Sequence, residues 1–336
     1  MADTPSDMMK AASFDRFGGP EVLRIVARRR PRAKAGELVV RVDATTVNGG
    51  EIAQRRGKLQ WIVRTALPAH PGIDLAGEIV GTGPGVTGLH VGDRVWGTVD
   101  ERGPVGTAAE YVAVPAVLLA RMPEAWTPQD AVSLVAGGAT ALIGLRDKAR
   151  LQPGERVLVR GAAGGVGSVA VQVSKALGAH VTALAHPRSF AFVRALGADE
   201  VIDYHRSPAD LDRFDVIFDT RGTQLGRWRR KLTRSGRMVA IAFDLDRPRR
   251  SLLAIAASAV FGSRRIRFFL GRPTAELFDE LRHLAESGSL RSVVDRVYPL
   301  ERIRDAHADA EAGGVHGKII VAPHRPADAP SHAAGV

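Results

Sequence analysis

Residues 157–168, VLVRGAAGGVGS, constrain the fold more than any other part of the chain. An apolar run ends in a glycine-rich turn, a helical stretch follows from Val169 to Leu177, and a second apolar run begins at His180. Strand, glycine turn, helix and strand within one short unit make a parallel pair joined by a crossover helix. A sheet built from such units is covered on both faces, so its other strands should be short, nearly continuous apolar runs separated by helices.

Such runs occur at Arg156–Arg160, His180–Ala185, Glu200–Ile202, Asp215–Phe218, Arg237–Ala242 and Arg265–Leu270. Six strands complete a doubly wound parallel sheet, α/β in class and Rossmann in type. Before about Thr127 the texture differs. Short β-like runs such as Glu37–Val42 and Glu78–Val80 stand between Gly and Pro turns, which predicts a compact, mostly β domain. After a helix at Thr274–Ser287, the runs Val293–Val297 and Lys318–Val321 read as β again and are expected to return to that first domain. The expected boundaries are 1–125 for the first domain, 126–289 for the dinucleotide-binding domain, 290–323 for the return and 324–336 for a disordered tail. A length of 336 residues suits two domains of about 100–200 residues each.

Composition narrows the chemistry. The chain has no cysteine, which removes disulfides, thiolate nucleophiles and Cys-bound zinc together. The net charge of +11 comes mainly from scattered arginines, so phosphorylated cofactors rather than nucleic acid are the expected anionic partners. No apolar run approaches the ~20 residues of a membrane-spanning helix. The stretch Leu252–Phe261, between two arginine clusters, has the makeup of an interfacial helix but is read as a buried one. Met1–Met8 lacks the progression of a signal peptide, and a cytoplasmic, membrane-free protein is expected. The histidines of the tail are read as solvated rather than metal-binding.

In the glycine turn, Ala162 stands at the first position of the usual triplet, while Gly164 and Gly167 keep the other two. Gly164 lets the backbone approach a diphosphate, Gly167 lets the helix pack on the strand, and the backbone at Ala163, Gly164, Gly165 and Val166 faces the phosphates. About twenty residues on, an acid would hold the ribose hydroxyls of NAD, but none is present. Residues His186 to Ser189 offer Arg188 and Ser189 instead, a cation and a hydroxyl suited to a 2′-phosphate. NADPH is the expected cofactor; the other reading of Arg188 is a solvated loop residue.

With these residues in place, the chain from Met9 to Pro323 resembles the zinc-independent medium-chain dehydrogenases/reductases of the quinone oxidoreductase, or zeta-crystallin-like, family. The resemblance is carried by VNGGE at 47–51, PGIDLAG at 71–77, GDRV at 92–95, GTAAEY at 106–111, the glycine turn, LGADEVIDY at 196–204 and GKIIV at 317–321. It implies that the mostly β domain is GroES-like and catalytic. In zinc alcohol dehydrogenases of the same superfamily, a His stands where this chain has Ile73 and a Cys near Asn48. An apolar side chain cannot ligate a metal, so no metal site is expected.

The resemblance also implies residue roles. Asn48, the only asparagine, falls where the family keeps one beside the nicotinamide, and its amide is expected to hydrogen-bond the cofactor or the substrate carbonyl; the alternative is a turn Asn before Gly49 and Gly50. Thr140 resembles the family threonine near the nicotinamide. His186 and Tyr204 are expected near the adenosine 2′-phosphate, and Phe243, Phe268 and Phe269 near the nicotinamide, although aromatic residues there also suit a core. Lys318 is a further cofactor candidate. Arg55 is given a structural role ahead of anion binding. Arg221, where the family usually has an apolar residue, is a local departure.

The reaction so implied is hydride transfer from NADPH to a small hydrophobic quinone or α,β-unsaturated carbonyl, with the second proton from water, in an enzyme expected to be a homodimer joined at its last sheet strand. Two rivals stay open. One is an enoyl-thioester reductase whose arginines, such as Arg264 and Arg265, steer an anionic carrier. The other is an NADPH-binding regulatory or RNA-binding protein with weak catalysis.

Overall fold

The computed structural model of the protein describes residues 7–62, 64–99, 106–245, 247–260, 264–269, 271 and 273–324. Two compact units result: one takes in the chain to Ala136 together with Pro273–Glu286 and the segment from Ser292, the other Gly137–Arg272 and Ser287–Arg291.

The first unit opens with the antiparallel pair β1 (Met8–Ser13) and β2 (Arg24–Arg29), followed by β3 (Glu37–Thr46), α1 (Gly49–Arg55), β4 (Asp74–Thr82), β5 (Arg94–Thr98), β6 (Tyr111–Pro115) and β7 (Leu119–Arg121). Strand β3 is its spine, pairing antiparallel with both β4 and β6. Residues of β6 alternate, with Val112 and Val114 fully buried and their neighbours half-buried or exposed, as a one-sided sheet demands. They join Leu38, Val40, Leu75, Ile79 and Val95 in one apolar cluster. Glu78–Val80 thus belongs to the longer strand β4, because the Gly residues inside it do not end the pairing: at Gly77 a Cβ would run into the Arg41 carbonyl, so only glycine lets β3 and β4 close there.

Helix α2 (Pro128–Leu142) leads into the second unit, whose elements alternate: β8 (Arg156–Arg160), α3 (Gly167–Ala176), β9 (His180–Ala185), α4 (Phe190–Ala195), β10 (Glu200–Asp203), β11 (Phe214–Asp219), α5 (Leu225–Arg229), β12 (Leu232–Ala240), α6 (Pro248–Val260) and β13 (Ile266–Phe268). The six strands form one parallel sheet in the order β10-β9-β8-β11-β12-β13, the expected doubly wound arrangement. Val157, Leu158, Val159, Val216, Ile217 and Phe218 are fully buried, which explains why these strands read as unbroken apolar runs. Residue Leu270, at the expected end of the last strand, lies outside the described residues.

The chain closes with α7 (Ala275–Glu286), β14 (Val294–Pro299), α8 (Ile303–Ala312) and β15 (Lys318–Ala322). Strand β15 pairs parallel with β14 and antiparallel with β3, so the last strand returns to the first sheet. Helix α7, expected with the parallel sheet, packs on the first unit, where Phe278 is fully buried with its ring centroid 6.3 Å from that of Trp96.

Helix α6 departs from expectation. Ser251 and Ser258 face inward and bond to backbone, while Leu252 and Leu253 are 44% and 69% exposed, so the stretch read as a buried helix shows an apolar face to solvent. A run that is apolar all round does not say which side is covered. No helix among the described residues is long and apolar enough to cross a membrane.

Candidate functional site

In the second unit, the glycine turn fits a dinucleotide phosphate in its shape. Gly161 has a φ of +76°, which turns the chain sharply out of β8. Ala162 is fully buried, whereas Ala163 to Val166 lie half-exposed at the rim. A Cβ at Gly164 would meet nothing nearer than 3.6 Å, so the space above it is open; one at Gly167 would enter the Gly161 carbonyl, so α3 can start there only with glycine. A Cβ at Gly137 would lie 2.6 Å from the Gly165 carbonyl oxygen, which sets α2 against the turn, with Thr140 one helical turn on and half-buried.

At the ends of β9 and β10, His186, Tyr204 and His205 cluster, the rings of Tyr204 and His205 being 4.0 Å apart by centroid. The His186 ring accepts a hydrogen bond from the Arg188 backbone N–H at 3.2 Å, which shapes the loop. Arg188 is exposed there, while Ser189 is only 3% exposed. Ser189 lies at the start of α4, where the chain turns inward. At the ends of β12 and β13, Phe243 and Phe268 meet edge to face at 5.8 Å, and Phe269 lies near Gly271.

In the first unit, Asn48 sits at the N-terminus of α1 in a buried polar cluster drawn from four elements. Its Nδ2 donates to Thr46 Oγ1 at 3.0 Å and to Asp74 Oδ2 at 3.1 Å, and its Oδ1 accepts from Lys318 Nζ. Thr46 also donates to Asp74, and Lys318 Nζ lies 3.7 Å from the same carboxylate oxygen. Asp74 and Lys318 are 1% and 3% exposed in their side chains. Two findings follow. Both amide hydrogens of Asn48 are engaged within the protein, and Lys318, expected among the cofactor contacts, is the cation that holds Asn48. No local sequence signal could place it, because Lys318 and Asn48 are 270 residues apart.

Glu51 completes the cluster. Its carboxylate accepts from the backbone N–H of Asn48 at 2.8 Å and from that of Gly72, closing the first turn of α1. Burial, and next the nearby Asp74, push this carboxyl up to about 7. The folded state therefore holds the proton more tightly than the unfolded chain, and the contribution of Glu51 to stability falls as pH rises from about 4.5 through about 7. Glu51→Gln should leave stability near wild type at pH 5 and raise it relative to wild type at pH 8, in urea denaturation at both values. An unchanged difference between the two pH values would refute the assignment.

Arg55, 1% exposed, pairs with Glu311 and donates to the Gly18 carbonyl at 2.8 Å, so it ties α1 to α8, as a structural role requires. Of the tyrosines, Tyr298 donates to Asp309, Tyr111 lies under the Arg30 guanidinium, and Tyr204 belongs to the loop cluster above. Among the described residues, no group of three or more His, Asp or Glu is placed to hold a metal ion.

Comparison with known proteins agrees with this architecture. Residues 34–124 match the family model of the alcohol dehydrogenase GroES-like domain, and residues 196–321 match that of the zinc-binding dehydrogenases. The chloroplast envelope quinone oxidoreductase homolog of Arabidopsis thaliana is 30% identical over 329 residues, spanning 94% of this chain and 99% of that protein. The chain belongs to the quinone oxidoreductase family of medium-chain dehydrogenases/reductases. Within it, the NADPH-dependent alkenal/one oxidoreductase of the same plant is 31% identical over 334 residues, 96% of this chain and 81% of its own length. The solved quinone oxidoreductase of Coxiella burnetii superposes with a TM-score of 0.83 at 29% identity, covering 94% of this chain and 99% of that one. Although one matching model is named for zinc binding, it matches residues 196–321, and no metal-holding group of His, Asp or Glu comes together among the described residues.

Proposed function

We propose that the protein is an NADPH-dependent reductase that passes hydride to a quinone or an α,β-unsaturated carbonyl without zinc. The observation that carries this reading is the glycine turn, open above Gly164 and closed beneath Gly167, with an exposed arginine and no acid at the end of the next strand. Backbone at Ala163 to Val166 would hold the diphosphate, and Arg188 beside Tyr204 the 2′-phosphate. Thr140 and the Phe243–Phe268 pair would flank the nicotinamide, which supplies the hydride when bound.

The chain's own task is then to bind, orient and stabilise charge. Asn48 is the group assigned to the acceptor's oxygen. Its N–H shared with Thr46 is released to that oxygen as negative charge develops, while the bond to Asp74 keeps the amide in place. Lys318 on Oδ1 draws electron density from the amide and strengthens its donation, since hydrogen bonds in series polarise one another. No tyrosine is placed as a dedicated acid in this scheme, and water supplies the second proton.

The test is oxidation of NADPH and of NADH by the purified protein against a panel of quinones and enones, with Arg188→Ala in parallel. Wild type should prefer NADPH, and the variant should lose at least about tenfold of that preference, the scale of one charge-assisted hydrogen bond to phosphate. Tight NADPH binding without turnover of any quinone or enone would shift the reading to thioester reduction; equal use of NADH by wild type would sink the phosphate assignment.

A further inference from the structure

Arg221 lies in the loop after β11, and its surroundings give its charge a purpose. The loop is fixed at every step. Asp219, fully buried, accepts the backbone N–H of Arg221 at 2.7 Å and of Gly222 at 2.9 Å on Oδ1. Thr220 donates its hydroxyl to the Arg160 carbonyl at 2.8 Å, at the end of β8. Gly222, with a φ of +70°, lies so close to the Phe243 backbone that a Cβ there would reach it at 2.5 Å.

This fixed loop lays the Arg221 stem along the start of the glycine turn. A Cβ at Gly161 would be 3.2 Å from Arg221 Cδ and 3.5 Å from Cγ. The carboxylate nearest in sequence is already committed, because Asp219 Oδ2 pairs with Arg160, which in turn lies 4.3 Å over the Trp228 ring. Among the described residues, no carboxylate pairs with the Arg221 side chain, which is exposed. Its charge nonetheless reaches the strand ends, since after burial, and against the pull of Asp219, it is Arg221 that further depresses the Arg160 guanidinium.

An exposed cation with no carboxylate partner among the described residues, carried on a rigid loop against a phosphate-shaped turn, calls for an anion at that turn. We propose that Arg221 is a cofactor-binding residue whose guanidinium pairs with the diphosphate of the dinucleotide, a contact added in this chain to the backbone donors of the turn. The inference rests on the reading that the second unit binds a nicotinamide dinucleotide. The diphosphate is favoured over the 2′-phosphate because Arg221 lies at the turn after β8, whereas Arg188 stands at the end of β9.

The experiment is titration of wild type, Arg221→Val, Arg221→Lys and Arg188→Ala with NADPH, NADH and ADP, followed by calorimetry, with melting temperature as the fold control. Arg221→Val should weaken all three ligands by about tenfold at unchanged melting temperature, and Arg221→Lys should recover most of that loss, because the interaction is with charge. Arg188→Ala should weaken NADPH alone. Unchanged binding by Arg221→Val overturns the proposal. So does a loss confined to NADPH, which would place the residue at the 2′-phosphate, or a lysine variant as weak as the valine one, which would mean stacking on the base. A wild type that binds none of the three ligands would overturn the cofactor reading itself, and this contact with it.

Discussion

Lys318→Met should destabilise the protein by about 3 kcal/mol, the usual cost of leaving one member of a buried charge pair without the other. Lys318 and Asp74 are almost wholly enclosed, and Asp74 Oδ1 has no hydrogen-bond partner, so the carboxylate depends on its Oδ2 contacts and on the nearby ammonium. Methionine fills the volume of the lysine stem and removes the charge together with its hydrogen bond to Asn48 Oδ1. Asp74→Asn in the same chain should then return most of the loss, because a neutral amide needs no counter-charge, although the single Asp74→Asn variant strands the lysine and should also be unstable. Urea denaturation of the four proteins measures the coupling; additive losses in the double variant would show that the two groups do not act as a pair. The same variants should lower kcat for the reduction more than they raise KM, since a loosened Asn48 still admits the acceptor but no longer meets its developing charge in a fixed geometry.

Gly164→Val should abolish measurable use of NADPH, with binding weakened by at least about 100-fold, or ~2.7 kcal/mol. Its melting temperature should stay near that of wild type. The two expectations come from one observation: a Cβ at Gly164 meets no protein atom closer than 3.6 Å, so the fold has room for a branch there, yet that branch fills the space through which a diphosphate reaches the turn. Gly164 has no left-handed φ to lose. Gly167→Val offers the contrast, because there the Cβ collides with the Gly161 carbonyl and the turn itself must break. A Gly164→Val protein that binds NADPH normally would show that the phosphates lie elsewhere.

How much of this was legible beforehand depends on the range of the signal. The parallel sheet was readable strand by strand, because burial on both faces leaves unbroken apolar runs such as Val157–Val159 and Val216–Phe218. The glycine turn was readable because its parts are contiguous. The Asn48 cluster was legible only by half: Asn48 stood out, but its partners Asp74 and Lys318 come from distant strands, and no periodicity records a contact between β3, β4 and β15. Ser189 is read as a phosphate contact because a hydroxyl beside an arginine suits one, and its burial at the turn into α4 leaves no mark in the local sequence. The exposed face of α6 was invisible for a related reason, since Leu252 and Leu253 carry the same letters whether covered or not.

The last strand completes what the first strands begin. Val47 N–H bonds to the Ile319 carbonyl at 3.0 Å, and Lys318 beside it brings a cation to the Asn48 cluster. A polypeptide cut short before residue 318 still encodes every strand of the parallel sheet and the whole glycine turn. It lacks the group that neutralises Asp74 and the strand that seals β3. Termination before residue 318 thus leaves the parallel sheet encoded in full while taking from the first unit the counter-charge of its buried carboxylate.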